Sequence, residues 1–103
     1  MPNRVLHAVV FWLKPDAPPE TARSMTEFYT ERIAQVDGVE HAFAGPPAGT
    51  QREVVDGSYQ LMSGLVFSNE AAASAWQVDP VHDAFRERFE AHFERVVVYD
   101  SLL

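Results

Sequence analysis

The chain has 103 residues, a length that fits one domain built on a single compact core. It contains no cysteine, which excludes disulfides, thiolate metal sites, iron–sulfur clusters and a cysteine nucleophile. A net charge of −7 argues against nucleic acid and anionic membranes as partners, because both require a basic face.

Arg4 to Leu13 is rich in β-formers and predicts the first strand. Its apolar run is not a secretion signal: His7 interrupts it and Lys14-Pro15-Asp16 ends it. It is also well short of the ~20 residues needed to span a bilayer. The expected location is cytoplasmic. Val5, His7, Val9, Phe11 and Leu13 occupy one side of this strand, and Leu6, Ala8, Val10 and Trp12 the other. Both sides are therefore largely apolar.

Pro15 to Pro19 is a turn leading into a helix, with Glu20 expected in the first helical turn. Ala22, Met25, Tyr29, Ile33 and Val36 form its buried stripe, flanked by Phe28. Asp37-Gly38 ends it, with Gly38 in the left-handed position. Val39 to Ala44 predicts the second strand. Gly45 to Gly57 is a Gly/Pro-rich connector or a lid, and Ser58 to Phe67 predicts the third strand. Ser68-Asn69 caps a short helix over Glu70 to Gln77. Asp79-Pro80 breaks and restarts the helix, whose apolar side is Val81, Phe85, Phe89 and Phe93. Arg95 to Tyr99 predicts the fourth strand.

No repeat or low-complexity linker divides the chain, so residues 1–103 are read as one domain. The order strand, helix, strand, strand, helix, strand predicts an α+β, ferredoxin-like fold. A four-stranded antiparallel sheet would carry its helices on one face. The other face would expose Leu6, Ala8, Val10 and Trp12, joined by Met62 and Val66. Such a patch predicts a homodimer formed sheet against sheet.

Several short motifs then align from end to end. Val5-Leu6-His7-Ala8-Val9-Val10-Phe11-Trp12-Leu13-Lys14 resembles the opening strand of stress-responsive A/B barrel (Dabb) domain proteins. Asp37-Gly38-Val39 is similar to their turn after the first helix. Asp79-Pro80-Val81-His82-Asp83-Ala84-Phe85 is similar to their "HPxHxxF" segment, and Val96-Val97-Val98-Tyr99-Asp100 to their closing strand. The resemblance implies a dimeric α/β barrel. It also implies a distant likeness to plant polyketide cyclases of the olivetolic acid cyclase type, which work without metal or organic cofactor. It places His82 at the catalytic histidine, His7 at a second pocket histidine and Tyr29 at a pocket tyrosine. Trp76 stands where those enzymes carry a partner tyrosine, and Leu61 where they carry a further histidine. Val9 and Phe85 are expected to line the same pocket.

The residues themselves support parts of this. His82 is near a helix start, where the positive helix end favours a neutral ring able to act as a base. The alternative is a surface residue of the first turn. His7 lies amid apolar neighbours, as a donor to a substrate carbonyl or as a satisfied core histidine. Tyr29 is either a pocket hydroxyl or a core phenol, and Trp76 a pocket wall, since indole N–H can only donate. His41 and His92 carry no comparable support. No histidine pair has a common zinc spacing, and neither a GxSxG elbow nor a phosphate-binding Gly-rich loop is present, so no metal or cofactor is expected.

Three functional readings follow. The first is a cofactor-independent cyclase- or isomerase-like enzyme acting on a small apolar carbonyl compound, with His82 moving a proton and His7 or Tyr29 holding the oxyanion. The second is a non-catalytic ligand-binding or stress-associated dimeric module. The third is a cofactor-free quinol monooxygenase-like enzyme, on fold kinship alone.

Overall fold

The computed structural model describes residues 3–103. Strand β1 (Val5–Leu13) is an interior strand, paired along both of its edges. Helix α1 (Thr21–Glu31) follows, then β2 (Val39–Gly45), β3 (Leu61–Phe67), α2 (Glu70–Trp76), α3 (Pro80–Phe89) and β4 (Phe93–Leu102). The sheet order is β2-β3-β1-β4 and every pairing is antiparallel. This is the ferredoxin-like α+β arrangement. No helix among the described residues is long and apolar enough to cross a membrane.

The core lies between the sheet and the helices. Val5, Val9 and Phe11 of β1 and Leu61, Leu65 and Phe67 of β3 meet Met25, Phe28 and Ile33 from the first helical segment and Phe85 and Phe89 of α3. The aromatic rings meet edge to face, as their quadrupoles favour: Phe28 and Phe89 at 5.9 Å, Phe28 and Phe85 at 5.5 Å. Gly38 has φ +88°, a region a β-carbon disfavours, and so turns the chain into β2.

Several boundaries differ from expectation. The first helix stops at Glu31, Arg32 serves as its C-cap with its N–H donating to Phe28 O, and a single 3₁₀ turn, Ile33–Gln35, completes the stripe. Glu20 occupies the N-cap rather than the first turn. Strand β3 starts at Leu61 instead of Ser58. Gln60 N still donates to Phe11 O at 3.0 Å, and the rest of the contact with the end of β1 passes to side chains, with Trp12 Nε1 donating to Ser58 Oγ at 3.0 Å and Leu13 N to Gln60 Oε1 at 2.7 Å. Strand β4 is longer than expected, because β1 offers a partner along its whole length, from Leu13↔Phe93 to Val5↔Leu102. Phe93 therefore opens a strand instead of closing the α3 stripe.

The register places Leu6, Ala8, Val10 and Trp12 on the helix-free face with Met62, Gly64 and Val66 of β3 and Val97 and Tyr99 of β4. Phe43 of β2 lies over Gly64, where an added β-carbon would meet the ring at 2.3 Å. Val10 is only 7% exposed, flanked by Met62 and Val97, so it is the rim of the patch that stays open. Met62 (42%), Phe43 (43%) and Tyr99 (63%) carry most of that exposure.

Candidate functional site

On the opposite face, β4 is an edge strand and the α2–α3 junction covers it incompletely. A cleft of about 270 Å³ results. Its floor is His7, Val9 and Phe11 of β1 with Val96 and Val98 of β4; its walls are Tyr29, Trp76, His82, Phe85 and Arg86. A second recess of about 300 Å³ adjoins it, lined by Val5, Glu70, Ser74, Gln77, Asp100 and Ser101 among others. His7 and Gln77 belong to both.

His82 reaches the cleft because Asp79 and Pro80 start α3 just before it. Asp79 Oδ1 accepts from Val81 N at 2.8 Å, and Pro80 occupies a first-turn position where no N–H is needed. The His82 ring meets Trp76 edge-on, with centroids 5.0 Å apart. Burial pushes its pKa below the usual 6.5, and the Arg86 guanidinium and His7 add to that, against the opposing pull of Asp83 and Asp79. The ring is neutral at neutral pH. Its Nδ1 is sealed from solvent without a hydrogen-bond partner.

His7 is held by a strand neighbour. Asp100 lies directly across the β1–β4 ladder, and its Oδ1 is 2.6 Å from His7 Nδ1. The carboxylate is 60% exposed, whereas the imidazole is nearly buried at 12%. Tyr29 lines the cleft from α1, but its hydroxyl is tied inward by a 2.8 Å hydrogen bond with Ser63 Oγ. Burial pushes its pKa up to about 12, so it stays a protonated phenol.

Trp76, Val9 and Phe85 line the cleft with these three residues. Leu61 does not. It lies on β3, on the far side of β1 from β4, and is 1% exposed within the core beneath α1. The Gly45–Gly57 segment contributes nothing to the cleft either. Pro46 borders a depression with Pro19 and Leu61, away from His7, so the segment is a connector there and not a lid. His41 packs beside Phe43 on the open sheet face at 5.2 Å, and His92 lies in a 3₁₀ turn before β4.

Sequence reasoning missed Asp100, Ser63 and Arg86. Val96, Val98 and Asp100 share one face by strand alternation, which was readable; that this face meets His7 depends on the β1–β4 register. Among the described residues no three histidine or acidic side chains gather in a metal-binding group. The cleft instead joins two imidazoles and a phenol to aliphatic and aromatic walls, an arrangement suited to moving protons on an apolar ligand.

The sequence pattern of the stress responsive A/B barrel domain (Dabb) matches residues 5–102. The chain belongs to the Dabb family. Solved structures agree on the fold of this Dabb domain. A dimeric ferredoxin-like protein of unknown function from Thermobifida fusca superposes with a TM-score of 0.84 at 16% identity, covering 100% of this chain and 93% of that one. A hydroxynitrile lyase from Passiflora edulis gives 0.83 at 16% identity, covering 100% and 95%. A Dabb family protein from Mesorhizobium loti gives 0.76 at 20% identity, covering 98% and 97%. No curated protein sequence matches the chain.

Proposed function

We propose that this Dabb domain is a cofactor-independent enzyme that moves protons on a small, largely apolar carbonyl compound, in reactions of the cyclase, isomerase or lyase type. The observation that carries this reading is the convergence of His7 and His82 on one cleft whose other walls are mainly Val9, Phe11, Phe85, Val96, Val98 and Trp76. Imidazole is the side chain whose ordinary pKa lies closest to neutral pH, so a pair of them can take up and return a proton without a metal. The apolar walls lower the local dielectric and so strengthen each hydrogen bond made to a developing oxyanion. Tyr29 adds a phenol that stays protonated at the same cleft. A hydroxynitrile lyase on the same fold supports bond-breaking chemistry of this kind for the scaffold. A volume of about 270 Å³ suits a small ligand.

The working form in this proposal is a cytoplasmic homodimer joined through the helix-free sheet face. Exposed Met62, Phe43 and Tyr99 support it, as does the description of the similar Thermobifida protein as dimeric. Each large apolar side chain covered by a twin contributes about 1.5–3 kcal/mol in full burial.

Exchange of the central hydrogens of 1-phenylbutane-1,3-dione with deuterium, followed by proton NMR, tests the enzyme reading. The protein should accelerate exchange beyond buffer, and His7→Ala and His82→Ala should each remove the acceleration. Binding of the diketone with no acceleration would identify a ligand-binding module and overturn the proposal.

A further inference from the structure

The two imidazoles do not have equivalent surroundings, and hydrogen-bond logic separates their roles. His7 Nδ1 faces the Asp100 carboxylate at 2.6 Å. A carboxylate only accepts, so Nδ1 carries the proton and a neutral His7 ring keeps its lone pair on Nε2. Among the described residues that Nε2 has no hydrogen-bond partner, and it is not sealed as His82 Nδ1 is. The ring borders both recesses.

His82 presents the reverse case. Its Nδ1 is sealed and unpartnered. A buried N–H without an acceptor is the rarer and costlier defect, so the single proton of the neutral ring resides on Nε2. We infer that Asp100 is a positioning residue that makes His7 the proton acceptor of the cleft, while His82 serves as the hydrogen-bond donor. This rests on the proposed function for the chemistry, though the proton positions stand independently of it.

In the corresponding step, His7 Nε2 removes a proton from the carbon next to a carbonyl. The C–H electron pair becomes the enolate double bond, and the carbonyl π pair moves onto oxygen. His82 Nε2–H donates to that oxygen. When the enolate carbon attacks a second carbonyl in the same ligand, a C–C bond forms and the new alkoxide takes back the proton from the His7 imidazolium. Nothing is oxidised or reduced, and no further reactant is required. The donor thus sits on α3 and the acceptor on β1, both bordering the one cleft.

The test is a long-range ¹H–¹⁵N correlation spectrum of the uniformly labelled protein at about pH 8.5, where an ordinary imidazole is neutral. His7 should show a protonated Nδ1 and a bare Nε2, the less common tautomer, and His82 the opposite. Asp100 is exposed, so Asp100→Ala should fold. It removes the acceptor opposite Nδ1 and should move the His7 proton to Nε2, the commoner tautomer, while leaving His82 unchanged. A His7 proton on Nε2 in the native protein, or one that stays on Nδ1 in Asp100→Ala, overturns the inference. If the tautomers are as stated and diketone exchange is absent, the proposed activity fails and the assignment of Asp100 stands.

Discussion

Removing the Ser63 hydroxyl should expose how tightly the floor of the cleft is sealed. Ser63 is 1% exposed and Tyr29 4%. The phenol's hydrogen bond in the structure is the 2.8 Å contact with Ser63, whereas Ser63 also has the Val9 carbonyl at 3.4 Å. Ser63 Oγ donates to the phenol oxygen, so Ser63→Ala leaves that buried oxygen without its donor, at a cost of about 1–3 kcal/mol. Tyr29→Phe leaves Ser63 its second acceptor and should cost about 0.5–1.5 kcal/mol. The double variant removes both partners together, so its loss should fall short of the sum by about 1 kcal/mol. Urea unfolding at one fixed protein concentration would read this as lowered midpoints at an unchanged slope. In heat, each kcal/mol corresponds to about 4–8 °C for a domain of this size. Because the Ser63 bond holds the Tyr29 pKa down against the larger effect of burial, Ser63→Ala should also push it higher still. Additive losses within about 0.3 kcal/mol, or no loss in Ser63→Ala, would refute the argument and show that the phenol hydroxyl is satisfied by water in the cleft.

Gly38→Ala should destabilise the domain by about 1–3 kcal/mol, because φ is +88° and the new β-carbon would lie 2.6 Å from Ala72 Cβ; an unchanged urea midpoint would contradict the strain. Met62→Lys, on the open sheet face beside Val10, should yield a monomer by light scattering where the native chain is a dimer. A variant that remains dimeric would put the interface elsewhere. The His82 pKa is lowered on folding, so the unfolded chain binds that proton more readily. The stability this ring contributes is complete above pH 6.5 and is lost as pH falls through its depressed folded value. His82→Gln should therefore flatten the stability profile on the acid side, and an identical profile would contradict the burial of the native ring. Tyr29 titrates in the other direction: its contribution is present below pH 10.0 and lost as pH rises towards about 12. An ultraviolet titration of Tyr29→Phe against the native chain should place the lost ionisation at about 12, and a loss near 10.0 would contradict the burial of the phenol.

Much of the architecture was legible from local pattern. Strand alternation in Val5–Leu13 identifies a strand with two greasy faces. The 3.6-residue stripe through Met25, Tyr29 and Ile33 identifies the helix that covers one of them. Asp79-Pro80 announces the start of α3, and with it the placement of His82 in a first turn. These are short-range signals, set by side-chain periodicity and by which backbone groups a residue can cap. Strand ends were less legible. Whether Ser58 to Gln60 joins the ladder, or β4 runs on to Leu102, depends on what the neighbouring strand can pair with.

The site divides along the same line. His7, His82, Tyr29 and Trp76 could be nominated one at a time, because each is a polar or aromatic group interrupting an apolar pattern. Their partners could not. Asp100 is 93 residues from His7, Ser63 is 34 from Tyr29, and Leu61 looked like a neighbour of the cleft until the sheet order placed it on the far side of β1. Amino-acid order alone thus specifies the elements, the faces they bury and the kinds of groups on offer. Which nitrogen of each imidazole holds its proton is settled by contacts between strands and helices distant in the chain, because a hydrogen bond senses only what lies within about 3 Å of it.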